Sequence, residues 1–156
     1  GPPLGQWLHR TSTWYPDRLT QVLCHNSIKL LTAVLQDIIS NSTFTNNYAN
    51  YGGAVHNHQH VRAVLHDSKF SANQANHSGA AVYLQRESST EVVGCRFSNN
   101  SARVLGAGVT CDSCRVCLGS TVFVNNTAYS GAGLAVGPQA HVSACRPHEV
   151  VTFVRP

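Results

Sequence analysis

Between Phe44 and Val136 no stretch keeps apolar residues at i, i+3, i+4 and i+7 for three helical turns. The chain alternates instead, in short bursts. In AAVYL, Val82 and Leu84 fall on one face and Tyr83 on the other, and Val109/Cys111 and Leu134/Val136 repeat that arrangement. A second short alternation runs through DIISNSTF, VLHDSKF, EVVGCRF and CLGSTVF. There Ile39, Leu65, Val92 and Leu118 share one register, while Ser42, Ser68, Cys95 and Thr121 share another. Short strands with tight corners are the elements this pattern predicts.

The bursts are periodic. Phe44, Phe70, Phe97 and Phe123 open four copies of one phrase, FTNNYANYGGAV, FSANQANHSGAAV, FSNNSARVLGAGV and FVNNTAYSGAGL, spaced 26, 27 and 26 residues apart. Two-helix repeats need roughly 33–47 residues, so each unit is a coil of three short strands. The expected fold is all-β, a parallel β-helix of about four to five coils. Coils then stack at about 4.8 Å, and equivalent residues stand above one another. Phe44, Phe70, Phe97 and Phe123 become an internal aromatic ladder. Asn47, Asn73, Asn100 and Asn126 become an amide ladder at a corner, bonded to one another and to turn backbone. The glycines that follow permit positive φ at the next bend.

Phe-x-x-Asn followed by Gly-Gly-Ala-Val resembles the repeat of the chlamydial polymorphic outer-membrane proteins, which also occurs in large surface proteins of other bacteria and green algae. The resemblance spans Phe44 to about Val136, and GAAV, GAGV and GAGL stand in the later copies. It implies a right-handed helix and a passenger or adhesin role, and in green algae a cell-wall or ciliary-surface role. It implies no conserved chemistry.

The repeats divide the chain into residues 1–27, a cap or linker, residues 28–145, the β-helix, and residues 146–156, the start of a further coil or an extension. Trp7, Trp14, Tyr15 and Leu19 would cap the first coil or dock another protein, while IKLLTAVLQDII supplies the first coil's strands. The chain has no methionine, and EVVTFVRP begins an incomplete fifth phrase, so a piece of a longer protein is expected.

Charged residues make up 12%, and the net charge of +4 comes from scattered Lys and Arg, which is a solvated surface and no nucleic-acid footprint. No apolar run approaches the roughly 20 residues of a membrane span. Six cysteines are present. CDSCRVC could be read as a thiolate metal site, but it lacks a matching second cluster. The favoured reading pairs Cys111, Cys114, Cys117 and Cys145 among themselves, in an arrangement the sequence leaves open, with Cys95 as a buried free thiol. Sequons at Asn41, Asn76, Asn99 and Asn125 are candidate glycosylation sites and point, with the disulfides, to an extracellular or cell-surface location.

Catalysis is not expected. Polysaccharide-cleaving β-helices need paired carboxylates, or carboxylates with calcium and a base, on one face. The seven acidic residues, Glu87 and Asp112 among them, never recur at one register in neighbouring coils. His56, His58 and His60 share an outward strand face, but alternate strand residues lie about 6.6–6.8 Å apart, too far to converge on one ion without bending. No cofactor is implied. The function expected is a structural or adhesive module of a larger surface or appendage protein, contacting other protein chains; a glycan-binding or polysaccharide-processing β-helix is the alternative.

Overall fold

The computed structural model describes residues 22–23, 28–30, 36–57 and 61–155. Every strand pairing among them is parallel and joins one coil to the next. The strands Thr43–Thr45, Lys69–Ser71, Arg96–Ser98 and Val122–Val124 form the middle of a phenylalanine sheet, in which Phe44, Phe70, Phe97 and Phe123 are register partners. Two further sheets follow the same order. One contains Val55–Asn57, Val82–Gln85, Val109–Asp112 and Leu134–Val136; the other contains Gln36–Ser40, Arg62–His66, Ser89–Val93, Arg115–Gly119 and His141–Ala144. Ile28–Leu30 pairs with Val55–Asn57 at the start of the first of these. The chain thus forms a parallel β-helix of about four coils.

A fourth sheet corrects the count of three strands per coil. Tyr48–Tyr51, Gln74–Ser78 and Ser101–Ala102 pair between the asparagine corner and the glycine turn. The reason is a second core. Ala75 and Ala102 point inward there and pack with Ala80, Ala107 and Ala128 in a cluster separate from the main one. Only small side chains fit where the coil bends this sharply. The beginning of the turn needs glycine, with φ of 63°, 66°, 54° and 61° at Gly52, Gly79, Gly106 and Gly131. At Gly53 a β-carbon would run into the carbonyl oxygens of Gln74 and Ala80.

The main core holds Ile39, Leu65, Val92 and Leu118 in one column and Val55, Val82 and Val109 in another. The four phenylalanine rings are buried and lie almost parallel, with centroids 4.8, 4.8 and 4.9 Å apart. Phe153 adds a fifth ring 4.8 Å beyond Phe123, on the strand Thr152–Val154. At the other end Val22–Leu23 pairs with Thr43–Phe44, within the segment assigned from sequence to a cap or linker. Trp7, Trp14, Tyr15, Leu19 and Cys24 lie outside the described residues.

Candidate interaction faces

Two systems, one hydrogen-bonded and one covalent, fix the corners from which the outer faces are built. Asn73 Oδ1 accepts hydrogen bonds from the backbone N–H and the Nδ2 of Asn47, at 3.1 and 2.9 Å. Asn100 does the same for Asn73, and Asn126 for Asn100. Each Nδ2 of Asn73, Asn100 and Asn126 also donates to the carbonyl of Phe44, Phe70 or Phe97 in the coil before it. The ladder therefore ties the corner and the end of the aromatic column together. Burial without these bonds would cost about 1–3 kcal/mol per orphaned group.

The second system is covalent. Cys117 and Cys145 are bonded across two coils, with Cα atoms 4.8 Å apart, and Cys111 and Cys114 are bonded across the turn between two strands of one coil. Cys95 is a buried free thiol in the column of Ser42, Ser68 and Thr121. Burial pushes its pKa up to about 12, where it holds no thiolate at neutral pH. Among the described residues no group of three or more His, Cys, Asp and Glu is placed to hold a metal ion. His58 and His60 lie outside the described residues.

The outer wall past the glycine turn carries a connected set of aromatic and polar side chains. Tyr83, only 7% exposed although it faces outward, is the keystone. Its ring lies 5.0 Å from Tyr51 and 5.2 Å edge-on from His56, and Tyr51 lies 4.6 Å from His77. The Tyr83 hydroxyl donates to Asp112 Oδ2 over a long 3.4 Å, and Gln85 Nε2 lies 3.0 Å from His56 Nε2. Burial, then the Asp112 carboxylate, pushes the Tyr83 pKa up to about 12, which keeps the hydroxyl a donor. Beside this cluster runs a concavity of about 310 Å³, rimmed by Tyr51, His77, Leu105, Asp112, Val136 and Pro138.

Sequence reasoning placed Tyr83 outward and His56 on a polar face, but it missed the cluster. Tyr51 comes from the short fourth sheet and meets Tyr83 around a corner, at a separation that is not a multiple of the coil, and His77 joins the cluster through Tyr51. Two signals were available, an aromatic at an outward strand position and the coil spacing that places Tyr83 in the column of His56. Glu87 and Asp112 lie in adjacent coils but at different corner positions: the Glu87 backbone bonds to Ser113, and Asp112 stands in the column of Gln85.

Stacked rings, an asparagine ladder and four parallel sheets leave one architecture. The family model for the right-handed β-helix region matches residues 21–145, well over half the chain. The chain belongs to that family. Its coils are therefore right-handed, and the family match runs from one residue before the Val22–Leu23 strand to Cys145, a partner in the disulfide that locks the last two coils. No match was found among curated proteins or among solved structures. Right-handed β-helices serve both enzymes and non-enzymes, so the fold alone assigns no activity.

Proposed function

We propose that this β-helix is a non-catalytic adhesive or structural module of a secreted or cell-surface protein, and that it works through contacts on its outer wall. The observation that carries the reading is the aromatic and polar cluster around Tyr83. Inward positions are committed to ladders and core, whereas this wall holds rings and hydrogen-bonding groups in fixed relation to one another beside a groove. A fixed surface of that kind binds with little loss of side-chain freedom. Two disulfides suit an oxidising compartment. The repeat's resemblance to polymorphic outer-membrane proteins favours the same role, including a place on an appendage or cell wall.

The test is retention of cells or purified extracellular-matrix proteins on the immobilised chain, compared with a Tyr51→Ser/Leu105→Ser variant. Both residues are at least 37% exposed and both flank the groove, so the fold should survive. Equal retention by both proteins would defeat the reading. So would turnover of any polysaccharide that is lost in Glu87→Gln or Asp112→Asn.

A glycan-binding reading draws on one observation, the groove itself. At about 310 Å³ it is at the small end of ligand sites, and it sets an exposed tyrosine face beside the Asp112 carboxylate. Binding on a glycan array without cleavage, weakened by Tyr51→Ser, would favour it over protein contact.

A further inference from the structure

The residue just before each rung of the asparagine ladder, at Asn46, Ala72, Asn99 and Asn125, has left-handed backbone, with φ of 56°, 54°, 55° and 51°. That region costs asparagine less than most residues. At Asn99 and Asn125 the same position opens a sequon, so two sequons sit one above the other on successive coils. The backbone N–H of Asn99 bonds to the Val124 carbonyl and that of Asn125 to the Val154 carbonyl, which fixes both turn tips. Both asparagines are exposed residues, and so are Ser101 and Thr127, which carry the sequon hydroxyls.

The other two sequons are built differently. Asn76 lies within the strand Gln74–Ser78, and its Nδ2 already donates to Asn50 Oδ1 at 3.1 Å. The sequon hydroxyl, on Ser78, is 1% exposed and 2.8 Å from His77 Nδ1. Asn41 is a turn residue with φ of 47°, but its sequon threonine, Thr43, is half-buried.

We propose that Asn99 and Asn125 are N-glycan acceptors and that Asn76 is not. In the transfer, the side-chain nitrogen attacks C1 of an oligosaccharide carried on a lipid pyrophosphate. The N–C1 bond forms, the C1–O bond to pyrophosphate breaks, the amide gives up one proton, and the lipid pyrophosphate leaves. The glycans would form a ridge along the edge between the phenylalanine sheet and the short fourth sheet. That edge precedes the glycine turn, so the Tyr83 wall beyond it stays open for contact.

The proposal shares with the functional reading only the secretory location, and the test supplies that location independently. The chain is expressed behind a signal peptide in a eukaryotic secretory host. Glycans are then removed enzymatically in ¹⁸O-water, so that each occupied asparagine becomes a mass-tagged aspartate. The Cys117–Cys145 bond, read by mass spectrometry in the same sample, certifies that the molecules scored are folded. Most folded molecules should carry glycans at both Asn99 and Asn125 and few at Asn76. Ser101→Ala and Thr127→Ala should each remove one glycan while leaving the left-handed asparagine in place. A bare Asn99 or Asn125 in the folded protein, or Asn76 filled as fully as they are, would overturn the assignment.

Discussion

At the residue scale, the phenylalanine column shows how one side-chain type can fill the core at the spacing that strand pairing imposes. Phe70, Phe97 and Phe123 each meet a parallel ring above and below at one coil rise, so a ring removed from the middle leaves a gap that two neighbours cannot close. Phe97→Ala should cost about 3–5 kcal/mol, read as a lower midpoint in denaturant at unchanged slope. Tyr83 makes a different prediction, about pH. Its folded pKa of about 12 lies above the ordinary value of 10.0, so the fold favours the neutral phenol. The stability it contributes is whole below pH 10 and is lost as pH rises from 10 through about 12. Denaturant midpoints at pH 9 and pH 11 should therefore fall further in the natural protein than in Tyr83→Phe. An equal fall in both would refute this. The ladder residues could be read in the sequence because register partners recur every 26 or 27 positions. Tyr83's neighbours could be read only in part: His56 is its register partner, whereas Tyr51 and Asp112 lie off the coil spacing. Its contact with Tyr51 depends on an irregularity between Ala49 and Tyr51, where the pairing to the next coil shifts by one residue.

At the element scale, the missed fourth strand shows what periodicity conceals. The alanine of Phe-x-x-Asn-x-Ala was visible in every copy, yet alanine signals neither burial nor strand by itself. Its role emerges only when Ala75 and Ala102 are seen facing Ala80 and Ala107 across the turn. Asn57 was equally unreadable. It stands in the inward column with Leu84 and Cys111, and its Nδ2 donates to Thr90, 33 residues away, at 2.6 Å. No coil multiple gives that separation. The cysteines were legible as a group but not as pairs, because CDSCRVC offers several geometries until the turn at Ser113 separates its strands. The two bonds should differ in worth. Cys117–Cys145 closes a separation of 28 residues, and chain entropy gives it about 3–4 kcal/mol, against no more than about 2 kcal/mol for Cys111–Cys114, which closes only 3. Cys117→Ser/Cys145→Ser should accordingly lower the melting temperature more than Cys111→Ser/Cys114→Ser. The reverse order would show that local turn geometry, not loop closure, governs these bonds.

At the scale of the whole molecule, the pattern of contacts is set by the stack. Strands pair with the coil above and the coil below, and the hydrogen bonds of the asparagine ladder likewise reach only adjacent coils. Stability should then behave as a chain of nearest-neighbour interfaces rather than as one undivided core. Double-mutant cycles within the phenylalanine column can separate the two pictures. Phe70 and Phe97 touch, so Phe70→Leu and Phe97→Leu made together should depart from the sum of their single effects by about 0.5–3 kcal/mol. Phe44 and Phe123 stand three coil spacings apart with two rings between them. Their leucine variants should add to within about 0.5 kcal/mol. Leucine keeps the column filled, so both double variants should remain folded enough to measure. Strong coupling between Phe44 and Phe123 would mean that a shift at one end of the stack is carried through every ring to the other. In that case a contact made on the wall of one coil would be felt by all of them, and the module could not be treated as a row of independent binding surfaces.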